Sequence, residues 1–242
     1  MASDLLSRMR IVLCRPGHPG NVGAAARAMK TMGLSDLRLV APERFPAPEA
    51  EWMAAGAADV LAQARLHARL AEALGDCVAA LALSARAREW SPQVVSAREA
   101  AHIALERLHA GPVAFVFGNE TAGLSNEELF ACQHLVHIPA SEEYRSLNLA
   151  QAVQVVAYEL RIAASGGAVP SARSEKLATI EDIEGLYAHL EETAVRCGFF
   201  DPAEPKRLRE RFRRLFSRIV LEREEVNILR GLLNALQDTK KE

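Results

Sequence analysis

Val113-Ala114-Phe115-Val116-Phe117-Gly118-Asn119-Glu120-Thr121-Ala122-Gly123-Leu124-Ser125-Asn126-Glu127-Glu128-Leu129-Phe130 holds the pattern of the chain in one stretch. The unbroken apolar run Val113 to Phe117 reads as a strand buried on both faces, the kind found in parallel sheets. Two glycines then bracket a turn, and Ser125-Asn126-Glu127-Glu128 has the capping-box form that opens a short helix, Asn126 to Phe130. Ligands of open α/β sheets bind outside the carboxyl ends of the strands. The Gly118 to Gly123 turn is therefore a candidate contact for a flat or phosphorylated group, with a tight turn that holds no ligand as the other reading.

Similar apolar runs recur on either side, at Ile11 to Cys14, Leu37 to Val40, Val78 to Leu83 and Leu135 to Ile138. Between them lie helix-length, Ala-rich segments: Val22 to Met32, Ala50 to Ala58, Leu66 to Leu74 and Arg98 to His109. A longer helix over Leu147 to Ala164 closes the unit, its Leu149, Val153, Val156 and Leu160 at helical spacing. This alternation predicts an α/β fold, a mainly parallel sheet with helices on both faces. Ser165 to Thr179 then carries Gly-Gly, a proline and small polar residues and reads as a linker. The expected organisation is a domain over 1–165, a linker over 166–178 and a small helical domain over 179–242. In the tail, Thr179-Ile180-Glu181-Asp182 is another capping box. One stripe follows it through Ile183, Leu186, Tyr187, Leu190, Ala194 and Cys197, a second through Leu208, Phe212, Leu215, Phe216 and Ile219, and a third through Leu229, Leu232, Leu233 and Leu236. Three short helices make a thin core, so the tail is expected to lean on the first domain or on a second chain.

The 242 residues are 50% hydrophobic and 25% charged with a net charge of -2, which argues against wholesale disorder and against a bulk polyanion binder. The four cysteines, Cys14, Cys77, Cys132 and Cys197, lie far apart, so neither a disulfide framework nor a zinc ribbon is suggested. No apolar run reaches the roughly 18 residues of a membrane span and the start lacks a secretory pattern, so a reducing, cytoplasmic setting is expected. The usual glycine-rich dinucleotide turn, the P-loop and the H-E-x-x-H motif are absent from the sequence. His134 and His137, three apart on a strand, point to opposite faces, and no metal is expected. Trp52 and Trp90 read as packing residues, and His18 as a loop histidine.

Charge is distributed unevenly only in the tail, where Lys206, Arg207, Arg209, Arg211, Arg213, Arg214 and Arg218 face the single acid Glu210. Such a patch in a neutral protein fits a docking site for nucleic-acid phosphates, and the arginine-rich choice favours forked phosphate contacts. A solvated basic face, or pairing with Glu222, Glu224 and Glu225, is the alternative.

Two further clusters follow strands. In Pro19-Gly20-Asn21-Val22-Gly23-Ala24-Ala25-Ala26-Arg27, Asn21 is positioned to cap a helix and Gly23 permits a close approach. Val22, Ala26, Met29 and Gly33 form the packing stripe, which leaves Gly23 and Arg27 on a flank; by spacing alone Arg27 reads as exposed and structurally idle. In Arg145-Ser146-Leu147-Asn148-Leu149, Ser146 is the expected cap of the closing helix. Asn148 falls in its first turn, where neither propensity nor packing favours it. A capping turn alone explains this cluster equally well.

Taken in order, the three clusters resemble the SPOUT superfamily of S-adenosylmethionine-dependent RNA methyltransferases: Asn21-x-Gly23-x-x-x-Arg27, then Gly118-Asn119-Glu120, then Ser146-Leu147-Asn148-Leu149. Within it, His18-Pro19-Gly20-Asn21, Ala28 to Leu34 and the tail's Asn227-Ile228-Leu229-Arg230-Gly231 are similar to the bacterial TrmJ type, and the likeness extends over nearly the whole chain. The resemblance implies a trefoil knot at the carboxyl end of the sheet, a homodimer, and methylation of the ribose 2′-hydroxyl of the pyrimidine at tRNA position 32. It also implies that Leu83, Ser84, Ala85, Gly118, Ile138 and the stretch Arg145, Ser146, Leu147, Asn148 hold S-adenosylmethionine. Arg27, Ser146 and Asn148 would be catalytic, and Glu120 would close the second turn. The RNA would meet Asn21, Arg27, Lys206, Arg207, Arg209, Arg213 and Arg214. Arg145 stands where a small residue is familiar in the family. The competing readings are a SPOUT 2′-O-methyltransferase acting on ribosomal RNA and a non-catalytic RNA-binding protein of the same fold; a Rossmann-type methyltransferase lacks its glycine-rich turn here.

Overall fold

A parallel sheet buried on both faces organises the chain, and the five apolar runs supply its centre: β1 (Met9–Cys14), β2 (Asp36–Val40), β4 (Ala79–Leu83), β6 (Val113–Phe117) and β7 (His134–His137). Two short strands, β3 (Arg65–His67) and β5 (Gln93–Ser96), complete a seven-stranded sheet of order β3-β2-β1-β6-β4-β7-β5 in which every pair is parallel. The computed structural model describes residues 5–85, 91–165, 176–203 and 207–238. Most of the expected linker and Trp90 lie outside the described residues.

Alternate side chains of each strand enter two separate cores. On one face Ile11, Leu13, Leu39, Leu81, Phe115 and Val136 pack under α1 (Pro19–Met32), α2 (Pro48–Ala54), α3 (Ala58–Ala62), α5 (Ala97–Arg107) and α7 (Leu149–Ser165). On the other, Val12, Cys14, Ala82, Val116 and Leu135 pack under α4 (Leu70–Leu74) and α6 (Asn126–Phe130). The expected periodicity of α7 holds, with Leu149, Val153, Val156 and Leu160 all buried.

Several expectations are corrected. Leu66 to Leu74 is not one helix: its first residues pair with β2 as β3, and α4 starts only at Leu70. Ala50 to Ala58 is broken by a 3-10 turn at Ala55–Ala57. The α7 cap is Asn148, whose Oδ1 accepts from the Ala150 N–H at 2.9 Å, and not Ser146. Asn21 does not cap α1, because Pro19 opens that helix and the cap position falls on His18. Gly23 is buried rather than flanking, since a Cβ there would stand 2.0 Å from the Ala50 carbonyl oxygen; the close approach is that of α2. Trp52 is 75% exposed and packs no core.

The tail forms α8 (Ile180–Arg196), α9 (Leu208–Phe216) and α10 (Arg223–Asp238), with the Thr179–Asp182 capping box in place. Its core is small, built on Ala178, Ile183, Leu186, Leu221 and Val226. It leans on the sheet domain as expected: Ile180 enters the α4/α6 core, its N–H reaches the Cys77 carbonyl at 2.8 Å, and Arg213 reaches the Phe130 carbonyl at 3.4 Å. The expected stripes are only partly covered, for Leu215, Ile219, Leu232 and Leu236 are each more than half exposed, so one side of the tail stays apolar and open. The tight α1–α2 seam gives a prediction. Gly23→Ala should lower stability by about 1–3 kcal/mol through overpacking, read as a lower denaturation midpoint with an unchanged slope.

Candidate active site

The carboxyl ends of β4, β6 and β7 open into one cleft of about 860 Å³, continuous with solvent. Leu83, Ser84 and Ala85 after β4, Gly118 to Leu124 after β6, and Ile138, Arg145, Ser146 and Leu147 after β7 line it. Of the residues expected to hold the donor, only Asn148 is not in the lining.

The β6 turn owes its shape to glycine and asparagine. A Cβ on Gly118 would lie 2.2 Å from the backbone of Gly123, and Gly123 itself sits at φ +70°. Asn119 accepts the Thr121 and Ala122 N–H groups at 2.9 and 3.0 Å and donates to the Arg15 carbonyl at 2.8 Å. Beneath the turn, buried Glu128 binds Arg15 in a two-pronged pair, with Nη2 to Oε2 at 2.9 Å, and accepts the Ser125 N–H. Burial opposes the ionisation of Glu128, but the Arg15 and Ser125 hydrogen bonds outweigh it and hold the carboxyl below its ordinary range. Arg15 was not singled out from the sequence; its place directly after β1 is the one signal that marks it.

Glu120 joins the three sequence clusters. Its carboxylate accepts the Asn21 side-chain amide at 2.8 Å and the backbone N–H groups of Gly17 and His18 at 2.9 and 3.3 Å. The Asn21 carbonyl oxygen in turn accepts the Asn148 amide at 2.9 Å. Burial disfavours the Glu120 charge, yet the donors from Asn21, Gly17 and His18 prevail and lower its pKa. Asn21 and Asn148 are thus locked to each other at the rim of the cleft. The side chain that closes the second turn is Asn119, and Glu120 instead ties that turn to the segment ahead of α1.

Arg27 is exposed on α1, as its spacing predicts, and among the described residues its guanidinium has neither a hydrogen bond nor an ion pair. It does not line the cleft. Ser146 lies in the lining on an exposed loop that runs from Ser141 to Asn148. In the tail, Arg209 pairs with Glu191, and Arg213 pairs with Glu184 and lies 4.7 Å above the Tyr187 ring. The acids that pair with them belong to α8, not to the Glu222 to Glu225 segment considered from the sequence. Arg207 is exposed, and Lys206 lies outside the described residues. Among the described residues no group of three or more His, Cys, Asp or Glu side chains is arranged to hold a metal.

A strand-end cleft with its rim fixed by three loops is a ligand site of an open α/β sheet, and comparison with known proteins gives its class. The model of the SpoU rRNA Methylase family matches residues 8–158, and that of the tRNA methyltransferase TrmJ C-terminal domain matches residues 181–242. The tRNA (cytidine/uridine/adenosine-2′-O-)-methyltransferase TrmJ of Pseudomonas aeruginosa is 48% identical over 96% of this chain and 95% of its own. The tRNA (cytidine/uridine-2′-O-)-methyltransferase TrmJ of Pectobacterium atrosepticum is 43% identical over 98% of this chain and 100% of its own. The crystal structure of TrmJ from Z. mobilis ZM4 superposes with a TM-score of 0.82 at 36% identity, covering 94% of this chain and 98% of that one. The chain belongs to the SpoU methylase family and, within it, to the TrmJ enzymes.

The Glu120 hydrogen bonds give a prediction with a sign. A carboxyl whose folded pKa is depressed stabilises the fold above its unfolded pKa, about 4.3, and loses that contribution as pH falls through the lower folded value. Glu120→Gln presents an NH2 to donors that need an acceptor. It should lower Tm by about 2–8 °C at pH 7, and the gap to wild type should close as the pH of the melt is taken below about 4.

Proposed function

We propose that this protein transfers the methyl group of S-adenosylmethionine to the ribose 2′-hydroxyl of a tRNA nucleotide, the pyrimidine at position 32 of the anticodon loop. The observation that carries the reading is the hydrogen-bonded union of Glu120, Asn21 and Asn148 at the rim of the cleft. It brings the three clusters together where a donor and an acceptor have to meet. The TrmJ relatives, whose names specify tRNA 2′-O-methylation, support the substrate class. The match of the tail to the TrmJ C-terminal model favours tRNA over ribosomal RNA.

The cleft suits the donor. Its walls include Leu83, Ile138, Leu147 and Leu149, apolar surfaces for a flat ring, with Ser84 and Ser146 as polar groups among them. Leu83, Ser84, Ala85, Gly118, Ile138, Arg145, Ser146 and Leu147 would hold it, while Asn148 acts through the rim. When bound, S-adenosylmethionine would supply a methyl group activated by its sulfonium sulfur, which would leave as a neutral thioether as an oxygen nucleophile takes the methyl.

What the chain contributes is alignment and charge. Asn148 and Ser146 fix the approach of the ribose, which is where much of the acceleration of such a transfer resides. Among the described residues the Arg27 guanidinium has no partner, so it is available to an adjoining phosphate or to the negative charge that grows on the 2′-oxygen. A guanidinium has no lone pair to offer as a base, so its part is electrostatic. The active form is a homodimer in this reading. The exposed Tyr158 and Ile162 on the outer side of α7 support it, as a second copy would cover them. Asn21, Arg207 and Arg214 contact the RNA, together with the exposed but ion-paired Arg209.

The test is a mass-spectrometric map of methylated nucleotides after incubation with the donor and unmodified tRNA and ribosomal RNA. A 2′-O-methyl pyrimidine in the anticodon loop is the expected product; a product found only in ribosomal RNA would overturn the substrate assignment. In the same assay Arg27→Ala should lose about 10²- to 10³-fold in rate while calorimetry gives an unchanged donor affinity. Normal turnover in that variant would remove Arg27 from the mechanism.

A further inference from the structure

A second cleft, of about 590 Å³, lies in the tail between α8 and α9, far in sequence from the donor cleft. Phe200, Leu208 and Phe212 give it apolar walls, and Arg209 with Glu191 and Arg213 with Glu184 give it two ion pairs. The Arg209 guanidinium lies 5.8 Å from the centre of the Phe200 ring. Phe200 is buried beneath it, whereas Phe212 is only half-buried.

The charge balance determines what such a cleft can take. Two arginines and two glutamates cancel, and each guanidinium is already held by a carboxylate, so the cleft is a poor receptor for phosphate. A flat neutral ring meets none of that resistance. It finds an aromatic face in Phe212, a guanidinium plane in Arg209, and carboxylate lone pairs left over from the ion pairs. Unpaired bases of RNA are recognised in this manner, by stacking on aromatic rings or arginine planes and by hydrogen bonds to their edges. The carboxylates favour rings with N–H groups to give, because they accept hydrogen bonds and donate none; Tyr187, which carries a hydroxyl, also lines the cleft.

We propose that the α8/α9 cleft is a base-reading slot: an unpaired nucleobase of the RNA substrate stacks on Phe212 and Arg209 and donates its ring N–H or amino protons to Glu184 or Glu191. The inference rests on the reading that the tail meets tRNA, and it divides the work there. Arginines outside the cleft hold phosphates, and the cleft holds a base. The base must be one that leaves its stack, in a loop or at an end, since paired bases cannot enter.

The experiment measures binding of an unmodified tRNA transcript to the full chain across a salt series. Phe212→Ala should weaken binding about tenfold, within the range of one lost base stack. The salt slope should stay as it is, since no phosphate contact is removed. Arg207→Glu should instead lower both affinity and slope. Because Phe212→Ala could loosen α9, Phe212→Trp provides an independent readout. The natural tryptophans, Trp52 and Trp90, both precede the tail, so the added indole should be quenched by tRNA beyond any change in wild type. Loss with Arg207→Glu, together with no loss in Phe212→Ala and no added quench, would overturn the slot while leaving the tail as an RNA contact. No effect from any of the three variants would overturn the tRNA reading of the tail itself, and the slot with it.

Discussion

The site depends on one acceptor. Ionised Glu120 can only accept hydrogen bonds, so it forces the Asn21 amide to turn its NH2 inward. The Asn21 oxygen must then face outward, where only a donor can meet it, and this fixes the Asn148 amide with its nitrogen toward Asn21. The oxygen left on Asn148 caps α7 through the Ala150 N–H. The polarity of the relay thus runs one way, from a carboxylate after β6, through α1, to the start of α7. Turning either amide over would set donor against donor or acceptor against acceptor, at a cost well above that of losing a solvated bond. Three loops that could each move alone are held in one arrangement by this rule.

The same carboxylate resolves a difficulty at the start of α1. That helix has no acidic residue in its first turn and no side-chain cap of its own. The backbone N–H groups of Gly17 and His18, just ahead of it, point to Glu120 instead. A negative charge at a helix N-terminus is favourable in itself, so Glu120 serves as a cap borrowed from another strand. This frees Asn21, which the sequence reads as a cap, to reach across the cleft. Pro19 sets the start of α1 two residues ahead of Asn21, and α7 starts at Leu149, which puts Asn148 rather than Ser146 at the cap; Glu120 then holds the two displaced asparagines in one relay.

What could be read from the sequence followed the strength of the local signal. The central strands are long, apolar and bounded, and they lie where the runs place them; the capping boxes at Ser125 and Thr179 are likewise in place. The edge strands β3 and β5 escaped because three or four partly exposed residues carry no run, and a helical pattern around Leu70 overran the first of them. Buried Arg10 was also invisible, since its partners Asp36 and Asp76 lie 26 and 66 positions away. The cleft lining could be anticipated because SPOUT resemblance fixed which strand ends to examine. The direction of the Glu120 relay could not, because it arises from three segments that the sequence does not order in space.

The tail shows why a charge count is not a surface. Residues 206 to 218 carry seven basic residues and one acid, yet Arg209 and Arg213 are held by acids of α8, and Arg213 also ties α9 to the Phe130 carbonyl of the sheet domain. These arginines are part of what holds a thin core together, and each is less free to release counterions than an isolated side chain. Electrostatic affinity for RNA scales with the number of phosphates neutralised, so it falls short of what seven free cations would give. Contacts that do not depend on net charge then carry a larger share of any binding. In this domain the surface equipped for that is the neutral, aromatic cleft between α8 and α9, built from the same arginines that the ion pairs withdraw from the phosphate-binding set.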